Sequence, residues 1–256
     1  MSEVLRATDI SMKFSGIVAL SHVNLSIHEG ERVGLIGPNG AGKTTLFNCI
    51  LGLLRPESGH VMIDGHDASN LAVHKRAALG IGRTFQRIEL FPDSTVREHL
   101  LIAERTRRGD GRLWRDLLGM GRPTADEIDH CDQVLELLGL AGVATEPIER
   151  LSLGQGRLVE VGRALMTQPK VLLLDEPSSG LARQETAALA QTLREVQREQ
   201  GFAILLVEHD VEFVSTFTER AYVLDFGQMI MEGPIRDVMR SDAVRSAYLG
   251  TLEVGR

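Results

Sequence analysis

"RVGLIGPNGAGKTTLFNCILGLL", residues 32–54, decides how this chain folds. Its opening "RVGLIG" (32–37) is a short aliphatic run of strand length, and "GKTTLFNCILGLL" (42–54) carries a helical pattern. Between them "GPNGAGKTT" (37–45) fits G-x-x-x-x-G-K-[ST] at every fixed position, after a strand and at the start of a helix. Gly37, Pro38, Asn39, Gly40, Ala41 and Gly42 form the turn. Its glycines let backbone N–H groups wrap phosphates with no Cβ in the way. Lys43 is placed to bridge the outer phosphates and Thr44 to hold Mg²⁺, with Thr45 closing the stretch. The helix N-terminus adds partial positive charge.

Working outward, "KVLLLDEP" (170–177) and "FAILLVEHD" (202–210) are aliphatic and unalternating, as parallel strands buried on both faces are. Between them "RQETAALAQTLREVQREQ" (183–200) sets Leu189, Leu193 and Val196 on one helical stripe. That strand–helix–strand unit predicts a doubly wound parallel sheet. "GHVMIDG" (59–65) reads as a strand ending in a turn, "RAYVLDFGQMIMEG" (220–233) as a hairpin, and "PIRDVMRSDAVRSAYLG" (234–250) as helical. Asp175 ends its strand, where a carboxylate can order the Mg²⁺ shell. Glu176 follows on the opposite side of the strand end, placed to orient or deprotonate an attacking water. His209 ends the other strand, and strand ends in such sheets line the ligand crevice. Gln86, in "GIGRTFQR" (80–87), ends a further candidate strand and by itself means little.

The middle of the chain differs. From about Thr95 to Gln155 there is no good strand, while "TVREHLLIAER" (95–105) and "ADEIDHCDQVLELLGL" (125–140) read as helices. In the second, Ile128, Cys131, Val134, Leu135 and Leu138 share a face. The expected division is a nucleotide-binding core, 1–94 and 157–256, interrupted by a helical subdomain, 95–156. Its basic stretch, with Arg105, Arg107, Arg108, Arg112 and Arg115, reads either as a solvated loop or as a surface near lipid head groups or a membrane partner. At its end, "RLSLGQGRLVEVGRAL" (150–165) is locally a capped helix start with some affinity for an anion.

Composition limits the classes. The chain has 256 residues, 43% hydrophobic and 25% charged, with net charge −7. Those values are ordinary for a soluble globular protein, and the negative balance argues against nucleic acid as a partner. Two distant cysteines, Cys49 and Cys131, read as inert thiols in a reducing compartment. No signal peptide and no apolar run of spanning length is found. No NKxD occurs, so guanine selectivity has no support.

The order GPNGAGKTT, TFQ, LSLGQ, VLLLDEP, VEHD resembles an ATP-binding cassette (ABC) ATPase over roughly residues 4–250. The resemblance implies a RecA-like α/β core with a small antiparallel β portion near the N-terminus and the inserted helical subdomain. It implies ATP and Mg²⁺ as ligands. It implies two cassettes, alike or related, joined head to tail, the signature loop of one covering the γ-phosphate held by the other. Ser152, Gly154 and Gln155 would act in trans, Gln86 would contact Mg²⁺ or the water, His209 would brace the γ-phosphate, and Phe14 would stack on adenine.

The flanks "SMKFSGIVALSHVNLSI", "GRTFQRIELFPDSTVREHLL" and "VRSAYLG" look like the cassette subunits of branched-chain amino acid importers, in particular the larger type. Urea or amide importers and lipopolysaccharide exporters are similar alternatives. A soluble, non-transport ABC ATPase and a nucleotide-binding regulator are the readings of a different class. The importer reading implies transmembrane permease subunits, an indirect link to a substrate-binding protein, and a peripheral place on the cytoplasmic face of the inner membrane. Leu153, Gly156 and Ala182 depart from the family pattern, Ala182 where many cassettes have an aspartate linking the two sites.

Overall fold

The computed structural model describes residues 2–84, 94–108 and 123–253. Six strands form the main sheet: β3 (Arg32–Ile36), β6 (Ile81–Arg83), β7 (Val171–Asp175), β8 (Ala203–Val207), β9 (Arg220–Asp225) and β10 (Gln228–Pro234). Their order is β10-β9-β3-β8-β7-β6. Every neighbouring pair is parallel except the hairpin β9–β10. This is the expected doubly wound sheet, closed at one edge by the expected hairpin.

Its strands show no polar alternation because both faces are covered. Leu172, Leu174, Ile204 and Leu206 point into one apolar cluster, and Val171, Leu173, Ala203, Leu205 and Val207 into a second. Each fully enclosed valine, leucine or isoleucine among them stabilises the sheet by about 1.5–3 kcal/mol before chain entropy is counted. Register then sets the functional edge. Leu35 of β3 and Asp175 of β7 both pair with Val207 of β8, so the three strands end in one row. The loops after β3, β7 and β8 therefore leave the sheet side by side, at the edge where ligands bind in such folds.

A four-stranded antiparallel sheet, β2-β1-β4-β5, packs across the second cluster. It contains β1 (Glu3–Phe14), β2 (Ile17–His28), β4 (Ser58–Ile63) and β5 (His66–Asp67). β1 and β2 are long but irregular: Asp9 and His22 have φ of 55° and 53°, and the register slips between Ala7 and Ile10. Their turn, Ser15–Gly16, has positive φ at both residues, which matches the twist of a tight hairpin.

The first helix, α1 (Lys43–Leu51), stops short of the expected 54 because Gly52 turns left-handed (φ 80°). The buried Arg76 side chain, from α2 (Val73–Ala78), caps it by donating to the carbonyls of Cys49 and Ile50, both at 2.7 Å. Helices α3 (Val96–Arg108) and α4 (Ala125–Leu137) occupy the middle of the chain, with short 3-10 turns after them. No strand lies between 95 and 155 among the described residues, only the isolated bridge Thr95–Pro147. Cys131, Val134, Leu135 and Leu138 are buried as expected, Ile128 only half.

These helices share one apolar cluster with the sheet face rather than building a core of their own. α5 (Leu153–Leu165), α6 (Arg183–Gln200) and α7 (Val211–Phe217) cover the same side. The C-terminal helical pattern splits into α8 (Ile235–Arg240) and α9 (Asp242–Glu253), because Ser241 takes an extended backbone. Of the basic stretch, only its first part is described. There Arg107 pairs with the buried Glu104 (2.6 Å), so that arginine is committed to the fold; Arg112 and Arg115 lie outside the described residues. Both cysteines are free and buried, and burial pushes each thiol up to about 11.

Candidate nucleotide site

The phosphate loop follows β3 and runs into α1 with no acidic residue in that helix's first turn and no side-chain cap. Its first amides are left to face a ligand, which the helix dipole favours when that ligand is an anion. The loop's path demands glycine. Gly37 has φ 146°, and a Cβ there would lie 2.0 Å from the Leu224 carbonyl oxygen. Gly42 has φ 104°, and its Cβ would meet the Ala19 carbonyl oxygen at 2.6 Å. Asn39, Gly40 and Thr44 are exposed, while Pro38 and Ala41 are buried and Thr45 is half-buried.

Lys43 is only 8% exposed, and its ammonium donates to the carbonyls of Gly37 (2.7 Å) and Pro38 (2.9 Å). The charge is thus arched over the mouth of the loop. Burial pulls the Lys43 pKa below the ordinary lysine value, and the nearby Glu176 and Asp175 oppose that fall. Asp175 is the converse case. Burial pushes its carboxyl up, the Glu176 charge adds to the rise with a smaller push from Glu208, and Arg83 and Lys43 hold it down. A buried carboxylate whose proton affinity is raised by an acidic neighbour suits a site that receives a cation. Together with the exposed Thr44 hydroxyl, Asp175 fits a hard divalent ion bound alongside phosphate oxygens.

Glu176 sits in the left-handed region (φ 47°) and its amide donates to the Val207 carbonyl at 2.8 Å. This turns its side chain, 26% exposed, away from the sheet toward His209, whose Nδ1 is 3.6 Å from Glu176 Oε1. That separation is longer than a hydrogen bond. Strain of this kind at a non-glycine residue concentrates at working sites. Phosphate loop, Lys43, Asp175, Glu176 and His209 are thus brought to one edge of the sheet. Gln86 lies outside the described residues.

Sequence reasoning missed Glu208, fully buried between those loops. It accepts the amides of Ser178 (2.9 Å), His209 (3.0 Å) and Asp210 (3.3 Å), and the Ser178 hydroxyl. An acid closing the aliphatic run "FAILLVEH" was its only signal. Glu208→Ala leaves those donors facing a void. The expected loss is about 2–4 kcal/mol of stability, seen as a lower urea midpoint; an unmoved midpoint would contradict the role assigned to it.

Ser152 caps α5 in a reciprocal box: the Gln155 amide donates to Ser152 Oγ (3.2 Å) and the Ser152 amide to Gln155 Oε1 (2.9 Å). None of these bonds reaches the chain's own phosphate loop. Gly154 lies against Glu185, whose carboxylate takes the Ala182 amide at 2.9 Å. Leu153 remains 41% exposed and Gly156 is buried. Phe14 is 43% exposed at the end of β1, beside the exposed Ile17 and Val18. It is no core phenylalanine. The same hairpin passes the loop, since the Ala19 carbonyl packs against Gly42.

A parallel sheet with a phosphate loop after its central strand, and an acidic pair ending a strand two places away, defines a P-loop nucleoside triphosphatase. Comparison narrows the class. The ABC transporter family model matches residues 20–179. The high-affinity branched-chain amino acid transport ATP-binding protein LivG of Escherichia coli (strain K12) is 36% identical over 96% of this chain and 98% of its own length. Among solved structures, the ADP conformation of MJ1267, an ATP-binding cassette of an ABC transporter, is 33% identical with a TM-score of 0.87, over 98% of this chain and 100% of that one. A dimeric post-hydrolysis state of the cassette MJ0796, bound to ADP and Pi, is 28% identical with a TM-score of 0.73, over 91% and 99%. The chain belongs to the ABC transporter family, as one of its ATP-hydrolysing cassettes.

Proposed function

We propose that this chain is the motor subunit of a branched-chain amino acid importer, one of two cassettes that sandwich ATP and drive membrane subunits. The observation that carries the reading is the Asp175–Glu176 pair beside Lys43 at the phosphate loop. In this reading the loop amides of 37–45 and Lys43 hold the phosphates. Thr44, Asp175 and Gln86 hold Mg²⁺, which when bound neutralises phosphate charge. Glu176 takes the proton of the attacking water, with His209 beside it (3.6 Å) to brace the terminal phosphate. The amino acid importer reading rests on LivG, similar along nearly its whole length.

The cap, exposed at Ser152 and half-buried at Gly154 and Gln155, is satisfied within itself and uninvolved with its own phosphate loop, which supports action on a partner's nucleotide. MJ0796, dimeric with its products bound, supports the paired arrangement. We assign residues 95–156 to a helical subdomain that moves on pairing. A groove of about 430 Å³ between α1–α2 and α3–α5 exposes Leu53, Val73 and Ile102. Exposed apolar side chains over a lining with Arg83 and Arg163 suit a membrane subunit's helix. Among the described residues no helix is long and apolar enough to cross a membrane. That groove is then the attachment that places the chain on the inner membrane face. Recovery of the chain from solubilised membranes should bring permease subunits and a second cassette with it; recovery alone, under conditions that preserve other transporters, would count against the reading.

Phe14→Ala is expected to raise the KM for ATP about 5- to 30-fold, by removing an aromatic platform for adenine. Because the ring is 43% exposed, the melting temperature should hardly move. Unchanged ATP affinity would remove Phe14 from the site.

A further inference from the structure

We propose that Tyr248, from the C-terminal helix α9, is a positioning residue that sets the phosphate loop before nucleotide arrives. Nothing in the loop motif points to it; the side chain comes from 211 residues further along the chain.

The geometry begins at Gly37. The β3 ladder ends at Ile36, paired with Val223 of β9, and Gly37 turns out of the sheet with φ 146°. Its amide therefore leaves the ladder inside a buried stretch, where an unmade hydrogen bond is expensive. The Tyr248 hydroxyl accepts that amide at 2.9 Å. The carbonyl of the same glycine accepts Lys43 Nζ at 2.7 Å. A three-part chain, Tyr248–Gly37–Lys43, thus runs from the C-terminal helix through one peptide residue to the cation at the loop's mouth.

The tyrosine ring packs at the edge of the apolar cluster that covers the sheet. It borders a cavity of about 220 Å³, lined also by Ile36, His209, Met239 and Val244. Val244, buried one turn earlier, anchors α9, and the hydroxyl then fixes the ring's end. Burial raises the Tyr248 pKa, so the group stays a neutral hydroxyl through the physiological range. Holding a binding loop in its working form before the ligand arrives improves affinity by removing the ordering cost from the binding step. The effect belongs to nucleotide affinity, not to the chemical step.

The inference rests on the nucleotide reading of residues 37–45. It is tested with Tyr248→Phe in the full chain, which keeps the ring and removes the hydroxyl. The expected result is a Kd for a fluorescent ATP analogue, and a KM for ATP, raised about tenfold, with kcat at saturation within about twofold of wild type. Wild-type Kd and KM in the variant would overturn the inference, and so would a loss of kcat at unchanged Kd. A wild-type protein that binds no ATP analogue would instead defeat the nucleotide reading beneath it. Should the variant not fold, amide exchange in the nucleotide-free wild type decides. Protection of the Gly37 amide comparable to that of β3 supports the anchor, and exchange at the rate of an exposed loop overturns it.

Discussion

Glu176→Gln leaves ATP bound and cuts steady-state hydrolysis by on the order of 10²-fold or more, the contribution of a positioned general base. The substitution keeps the side chain's size and the backbone that aims it. The amide of residue 176 still donates to Val207, and the left-handed φ of 47° is set by that turn rather than by the carboxylate. What disappears is the proton acceptor 3.6 Å from His209. The electrostatics favour retained binding. The Glu176 charge is one of the causes raising the Asp175 carboxyl, so its removal lets Asp175 ionise more readily and hold a cation at least as well. Filter binding of labelled ATP beside a phosphate-release assay separates the two effects. Hydrolysis within a few-fold of wild type would take the base role from Glu176.

Lys43→Ala acts at the opposite end of the cycle. ATP affinity should fall by on the order of 10²-fold or more, and hydrolysis to background. The ammonium is nearly buried, held by the carbonyls of Gly37 and Pro38 at 2.7 and 2.9 Å, and kept charged against burial by Glu176 and Asp175. With phosphate present it would exchange those neutral acceptors for anionic ones. Charge-assisted hydrogen bonds are worth about 1.5–3 kcal/mol each, so two of them account for the loss. Removal also strips Asp175 and Glu176 of a nearby cation, which deepens their mutual repulsion. Equilibrium titration with a fluorescent ATP analogue measures the change. Near-wild-type affinity would take the phosphate-holding role from Lys43.

How much of this was legible beforehand follows from the range of the interactions. β3, β7 and β8 could be read because each is an aliphatic run buried on both faces, a signal carried within five residues. The phosphate loop could be read because its glycines answer to local backbone demands at Gly37 and Gly42. The long strands β1 and β2 could not be read one by one, since the left-handed Asp9 and His22 break their two-residue period. Glu208 and Tyr248 escaped because they act on Ser178 and Gly37, 30 and 211 residues away. The signature stretch is intermediate. Its capped helix was local and legible from Ser152 and Gln155, while its role toward a partner came only from the order of motifs around it.

The central claim is that ATP hydrolysis at this chain's phosphate loop powers import. Uptake of labelled leucine into proteoliposomes, containing the complex recovered with this chain and supplied with its substrate-binding protein, tests it most directly. With ATP on the cassette side, uptake should proceed in the wild type and fall to background in Lys43→Ala. Uptake that continues without ATP, or that survives Lys43→Ala unchanged, would contradict it.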